Sequence, residues 1–135
     1  MIRNSQAMLE VKQNWAAVRK VERRLESVYL LPGYGNVNVS APPEAYNLPF
    51  FMAYAVLDQV LSVLRDQGEF VCPNRELGPK MAASRTALPW QSYGVVDAGR
   101  EARNNLAHKA ALADVRECRA YIDAIETELR AWLVL

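Results

Sequence analysis

The sequence predicts an all-α fold, a four-helix up-down bundle with one extra short helix. Apolar residues recur three and four positions apart in four long segments, and this spacing places them on one face of a helix. No segment alternates apolar and polar residues over the length of a strand, so we expect no sheet. The composition, 51% hydrophobic and 23% charged over 135 residues, is that of a globular protein, and the length predicts one domain over residues 1–135.

The first helix is predicted over residues 5–31, and a proline-glycine pair ends it. Its basic side chains are interleaved with glutamates and are expected to form a solvated face: Arg19, Lys20, Arg23 and Arg24. Residues 32–49 contain four prolines and two glycines, so we expect a long loop that covers the core or part of a site. Tyr34 and Tyr46 are its candidate anchors.

The remaining helices are predicted over residues 48–67, 80–88, 91–107 and 112–133, the second of these being the short one. The apolar surface of the helix over 48–67 is wide, which indicates a central position between other helices. The last helix keeps its 3-4 spacing without a break. Trp15 in the first helix and Trp132 in the last lie on apolar stripes and are predicted to be core residues.

The charge and the cysteines narrow the classes of function. The net charge of +1, from 16 basic and 15 acidic side chains, excludes a generally basic surface, so any contact with nucleic acid must be local. Cys72 and Cys118 lie in unrelated contexts without a CxxC pair, which predicts neither a disulfide framework nor a zinc site. We expect a reduced, cytoplasmic protein with no signal peptide. We also expect no membrane partner, because the most apolar stretch is interrupted by the polar residues Asp58 and Gln59.

One short motif carries chemistry: Arg103, Asn104 and, five residues after the arginine, His108, the only histidine. Imidazole exchanges protons near neutral pH, and guanidinium is always charged and matches phosphate oxygens. The Asn104 amide can orient the imidazole or bond a ribose or phosphate oxygen. Together they suit cleavage of RNA without a metal or other cofactor, with His108 as general acid or base and Arg103 stabilising the anionic phosphorus.

The spacing of the motif limits its geometry. On an ideal helix a five-residue step turns about 500°, so Arg103 and His108 point roughly 140° apart, whereas Asn104 and His108 share a face. A straight helix therefore cannot aim Arg103 and His108 at the same phosphate. Either the helix ends near His108, or two copies of the motif meet in one site.

This motif resembles the signature of the HEPN superfamily (higher eukaryotes and prokaryotes nucleotide-binding domain), an arginine, a polar residue that is often asparagine, three further residues and a histidine. The match covers Arg103 to His108, and the helix order extends the resemblance to a HEPN-like fold. The resemblance implies a homodimer whose two motifs face one cleft and a metal-independent endoribonuclease in stress response or defence. Such a dimer would also bring Arg100 and Lys109 of both chains together as RNA-binding side chains.

Two alternatives remain open. One is a HEPN-like domain that binds RNA, a nucleotide or a protein partner without chemistry, and the other is a helical interaction protein unrelated to HEPN. HEPN toxins paired with a nucleotidyltransferase antitoxin commonly carry a tyrosine two residues after the histidine. Here that residue is Ala110, which weakens the case for an antitoxin as the protein partner. Arg100 has a competing role, because it can form ion pairs with Asp97 and Glu101.

Overall fold

A computed structural model of the chain describes residues 1–31, 33 and 35–135. The described chain is predominantly helical, as predicted. In order along the chain, its elements are α1 (Ser5–Arg24), β1 (Glu26–Leu31), β2 (Gly35–Ser40), a 3₁₀ helix (Pro43–Tyr46), α2 (Asn47–Asp66), α3 (Leu77–Ser84), α4 (Tyr93–Lys109) and α5 (Val115–Ala131). The helices α2 to α5 correspond to the four predicted after the first loop, with bounds shifted by a few residues.

The prediction of no sheet is wrong, and so is the extension of the first helix to residue 31. Helix α1 ends at Arg24, and β1 pairs with β2 as an antiparallel hairpin, with Glu26 opposite Ser40. The segment that forms β1 contains Val28 and Tyr29, a β-branched and an aromatic residue, which favour strands. Gly33 and Gly35, at the turn, have φ angles of 86° and 74°, a conformation that glycine adopts readily.

The predicted loop over residues 32–49 is therefore largely structured. It contains β2, the 3₁₀ helix and the start of α2. Tyr46 is 3% exposed, which confirms it as a buried anchor, while Tyr34 lies outside the described residues. The Tyr46 ring also packs beneath the Arg119 guanidinium of α5, 5.1 Å from its centroid.

Helix α2 is the centre of the core, as its wide apolar surface predicts. It packs against α1, α3, α4 and α5, and several of its large side chains are fully buried: Phe50, Tyr54, Leu57, Leu61 and Leu64. Trp15 and Trp132 are 4% and 3% exposed, so both are core residues. The stretch Pro43–Asp66 has the length and composition of a membrane span, but 56% of its most apolar window is buried within the protein.

Helix α4, which carries the motif, packs closely against α2 and α5 at Gly99. A Cβ at this position would lie 2.0 Å from the Tyr54 hydroxyl and 2.8 Å from the Tyr121 ring. The Tyr54 hydroxyl donates a hydrogen bond of 2.7 Å to the Val96 carbonyl. Burial raises the pKa of Tyr54 well above its usual value, so the hydroxyl remains a donor. This contact fixes the position of α4 along its axis.

The beginning of α4 is held by a buried carboxylate of α5. The two oxygens of Glu128, a fully buried residue, accept the backbone N–H groups of Gln91, at 2.7 Å, and Ser92, directly before α4. Trp90 packs edge-on against Trp132 with ring centroids 4.6 Å apart. Polar and aromatic contacts with the end of the chain therefore set where α4 starts.

Arg19 is not part of a solvated face, contrary to the prediction. Its guanidinium lies within 2.6 Å of Glu126, 2.8 Å of Asp123 and 2.9 Å of Glu22, and it thereby joins α1 to α5. The Trp15 indole N–H donates to the same Glu126 carboxylate at 2.9 Å. The sequence could not reveal these partners, because the residue spacing within one helix does not show which acidic side chains another helix places beside it.

We expect Gly99→Ala to destabilise the protein by about 2 kcal/mol, because the added methyl group meets Tyr54 and Tyr121 in a closely packed region. Gly94→Ala is the matched control, since a Cβ at Gly94 of the same helix meets nothing within 4 Å. Chemical denaturation of both variants measures the difference. Equal stabilities would contradict the close packing of α4 described here.

We expect part of the stability to be lost in acid through Glu126. Burial raises its pKa, but hydrogen bonds from Trp15, Arg130 and Arg19 outweigh this and lower the pKa from 4.5 to about 2. A lowered folded-state pKa stabilises the fold above pH 4.5, and this contribution disappears as the pH falls towards 2. Glu126→Gln should cost about 1–2 kcal/mol at pH 7 and much less near pH 2.

The measurement is urea denaturation of the parent and Glu126→Gln at several pH values. Glu44→Gln is the control, because Glu44 is an exposed carboxylate at the first turn of the 3₁₀ helix. A stability difference between parent and Glu126→Gln that does not change with pH would contradict the role of the carboxylate charge.

Candidate functional site

A pocket of about 390 Å³ lies where α2, α3 and α4 meet, and it contains the predicted motif. Helix α4 contributes the predicted residues Arg103, Asn104 and His108, together with Arg100. The other walls come from α2 and from the start of α3: Asp58, Arg75, Glu76, Leu77, Gly78 and Pro79. The structure thus brings the three motif residues to one pocket within a single chain.

Helix α4 ends directly after the motif. The helix ends at Lys109, one residue after His108, and Ala110 follows with a left-handed φ of 52°. The backbone N–H of Ala110 is directed to the Asn105 carbonyl and closes the helix. Because α4 is continuous from Arg103 to His108, its end one residue later leaves the angle between the two positions unchanged, and both side chains nevertheless line the pocket.

The Arg103 guanidinium has no anionic partner among the described residues. Its Nη2 donates to Oδ1 of Asn104 at 3.0 Å, but its Nε is buried and has no acceptor. No carboxylate in the described part of the chain forms an ion pair with this guanidinium. The Phe51 ring lies beneath it, with the guanidinium carbon 5.9 Å from the ring centroid. A guanidinium held in this way is suited to an oxyanion such as a phosphate.

Asn104 and His108 differ in how firmly they are held. Asn104 is half-buried, and its amide oxygen contacts Arg103, so among the described residues it orients the guanidinium rather than the imidazole. His108 is exposed, and its imidazole forms no hydrogen bond with any residue that the structure describes. Lys109 is also exposed and is not among the residues that line the pocket.

Arg100 forms its predicted ion pairs and also lines the pocket. Its Nε donates to Asp97 at 2.8 Å, and Nη2 lies 3.8 Å from Glu101, so the predicted ion pairs are present. The guanidinium also lines the pocket and lies against Gly78, where a Cβ would be 3.3 Å from Nη1. Arg100 therefore connects α4 to the first turn of α3, and Asp97 offsets its charge.

Three charged residues of the pocket were not found from the sequence: Asp58, Arg75 and Glu76. Asp58 forms an ion pair with Lys80, a residue only 2% exposed, whose ammonium also donates to the Ser62 hydroxyl at 2.7 Å. Arg75 is exposed and forms no ion pair within the described chain. None of the three is near the motif in sequence, and no local pattern marks them as part of this pocket.

The turn that follows His108 is fixed by Asn47, a 5% exposed residue at the start of α2. The Asn47 side chain donates to the Ala113 carbonyl at 2.9 Å and accepts the Ala113 N–H at 3.0 Å. Asp114 then caps α5 by accepting the Glu117 N–H at 2.8 Å. The C-terminal end of the motif helix is thus attached to the core, although no feature of Asn47 in the sequence indicates this role.

Among the described residues, no group of three or more histidine, cysteine, aspartate or glutamate side chains is arranged to hold a metal ion. Cys72 and Cys118 are both buried and are free thiols. The chain has no significant match to a protein-family model, a curated protein or a solved structure. The functional argument therefore depends on the residues of the pocket and their geometry.

Proposed function

We propose that this protein is a metal-independent endoribonuclease of the HEPN type, and that its HEPN-like bundle serves to position the pocket at α4. One observation carries the proposal. Arg103, Asn104 and His108 line the same pocket, and the Arg103 guanidinium has no carboxylate partner among the described residues. A phosphate diester would supply negatively charged acceptors to this guanidinium, and the imidazole in the same pocket would exchange protons with its oxygens.

The charge balance of the pocket supports an anionic ligand. Two of its charged groups are compensated by neighbours, Asp58 by Lys80 and Arg100 by Asp97. The remaining groups are the guanidiniums of Arg75 and Arg103, one carboxylate and the imidazole. A positive pocket in a protein of net charge +1 favours local contact with a phosphate over general binding along a nucleic acid.

The reaction that these groups support best is internal transesterification of RNA. The 2′-oxygen attacks the adjacent phosphorus, the bond to the 5′-oxygen breaks, and the products end in a 2′,3′-cyclic phosphate and a 5′-hydroxyl. His108 takes part in the proton transfers, and Arg103 stabilises the additional negative charge on the phosphoryl oxygens. Asn104 holds the guanidinium in place through its 3.0 Å contact.

The second candidate is a domain that binds RNA or a nucleotide without cleaving it, or that serves as a scaffold for a protein. The exposed His108 imidazole favours this alternative, because no described residue orients it by a hydrogen bond. Catalytic imidazoles are commonly oriented by a third group. Bound RNA can itself supply a hydrogen bond to the imidazole. The two candidates therefore differ in whether the RNA is cleaved after it binds.

We further propose that the protein is a cytoplasmic homodimer. Three large apolar side chains near the C-terminal end of α4 are about half exposed: Leu48, Phe51 and Leu112. Leu48 and Phe51 share a face of α2, Phe51 lies beneath Arg103, and Leu112 belongs to the turn that Asn47 holds. This apolar surface, formed by these three residues, adjoins the pocket, and a second copy would remove it from water. An antitoxin or another protein on the same surface is the competing partner.

We expect the protein to cut RNA in the presence of EDTA and to leave 2′,3′-cyclic phosphate ends. Arg103→Ala and His108→Ala should each lower kcat/KM by about 10²–10⁴, since each removes a group used in the transition state. Arg23→Ala, an exposed arginine of α1, is the matched control and should cut normally.

The outcome separates the candidates. A parent that leaves RNA intact, or variants that cut as well as the parent, would reject the endoribonuclease. RNA binding that is lost in Arg103→Ala, with no cleavage by the parent, would establish the second candidate instead.

We expect sedimentation equilibrium to show a dimer that Phe51→Ser weakens by about tenfold or more, because the substitution removes a large apolar side chain from the proposed contact. Leu9→Ser, at a 49% exposed leucine of α1, is the control and should not change the association. A monomeric parent at every accessible concentration would reject the homodimer.

A further inference from the structure

The proposed cleavage needs two proton transfers, and the chain has only one histidine. One group must take the proton of the attacking 2′-hydroxyl, and another must give a proton to the departing 5′-oxygen. If His108 performs one of these transfers, the pocket has to supply a second titratable group. That group must lie in the same pocket as the imidazole and must be free to change its protonation.

The charged side chains around the pocket leave two carboxylates as candidates. Arg75, Arg100 and Arg103 carry guanidinium groups, which are not proton carriers in proteins. Asp58 of α2 is engaged by Lys80, which is 2% exposed, and protonating Asp58 would leave a buried ammonium without its counter-charge. Asp58 is therefore a poor proton carrier, and Glu76 remains.

Glu76 has a fixed backbone and a free carboxylate. It directly precedes α3, where its N–H donates to the Asn74 side chain at 2.9 Å and its carbonyl accepts the Lys80 N–H at 3.3 Å. Its side chain makes no capping hydrogen bond to α3, and it forms no ion pair with any residue the structure describes. The residue is exposed and lines the pocket.

We propose that Glu76 is a catalytic residue of this pocket, the general base that pairs with His108 as general acid. This inference rests on the proposed ribonuclease function. The 2′-hydroxyl proton passes to the Glu76 carboxylate as the bond from O2′ to phosphorus forms, and the His108 imidazolium gives its proton to O5′ as the bond from phosphorus to O5′ breaks. Proton exchange with water restores both groups.

The assignment of roles follows from the chemistry of the two groups. A carboxylate can accept a proton from a hydroxyl, and an imidazolium can give one to a departing oxygen. Arg103, from the same helix as His108, would hold the phosphate between the two groups. The consequence is that one chain contains a complete acid-base pair, so a dimer need not supply motif residues across its interface.

The first test compares Glu76→Gln with Glu44→Gln, an exposed carboxylate outside the pocket. We expect Glu76→Gln to lower kcat/KM for RNA by about 100-fold or more and to abolish the loss of activity at acidic pH that protonation of the base causes. Its RNA affinity should stay within about twofold of the parent, and Glu76→Asp should restore part of the rate. Thermal unfolding of each variant verifies that the fold is retained.

The second test uses a ribonucleotide 3′-(4-nitrophenyl phosphate), whose leaving group needs no proton. His108→Ala should regain most of its activity on this substrate, whereas Glu76→Gln should not, because attack by the 2′-oxygen still requires a base. Rescue of Glu76→Gln but not of His108→Ala would overturn the assignment.

The failure of this inference is distinct from failure of the proposed function. Glu76→Gln that cuts RNA at the parent rate with an unchanged pH profile, while Arg103→Ala and His108→Ala are inactive, would overturn the role of Glu76 alone. A parent protein that leaves RNA intact would reject both proposals.

Discussion

The structure around the pocket depends on the close approach of α4 to α2 and α5 at Gly99. Any side chain larger than hydrogen at this position would meet the Tyr54 hydroxyl and the Tyr121 ring. Because the Tyr54 hydroxyl bonds the Val96 carbonyl, one turn before Arg100, the contact fixes both the distance and the axial position of α4. Glu128 holds the beginning of this helix, and Asn47 holds the turn after it. A site built on a helix that is held at both ends and in the middle is rigid, as ligand recognition at one guanidinium requires.

The charges of the pocket explain how a nearly neutral protein can have a positive site. Lys80 lies beneath Asp58, and Asp97 compensates Arg100, so these two pairs largely cancel. Arg103 is different, because its half-buried guanidinium contacts an amide and an aromatic ring and has no carboxylate partner in the described chain. Its positive charge is therefore available to a ligand. The composition excludes a basic surface overall, and the fold places two guanidiniums without carboxylate partners, those of Arg75 and Arg103, in the pocket that the only histidine lines.

The sequence predicted the helices well where each buries an apolar face, because a 3-4 spacing reports that face directly. It failed at β1, since Val28 continues the helical spacing of α1, while the pairing with β2 depends on a partner strand and a glycine turn. Arg103, Asn104 and His108 were identifiable because they are close together in one helix. Arg75 and Glu76 were not, because only the packing of α3 beside α4 brings them to the pocket, and no local pattern encodes that contact. The same reason hid the role of Arg19, whose acidic partners include two residues of α5.

The pocket that Arg103 and His108 share bears on what a second copy of the chain would contribute. The two residues leave α4 roughly 140° apart, and a composite site between two chains would be one way to unite them. Both side chains nevertheless line one pocket of a single chain. With Glu76 in the same pocket, that chain already holds a guanidinium, an imidazole and a free carboxylate. A homodimer would then act mainly by covering the apolar surface beside Arg103 and by placing two pockets along one RNA strand, so that dimerisation affects substrate binding more than the chemical step.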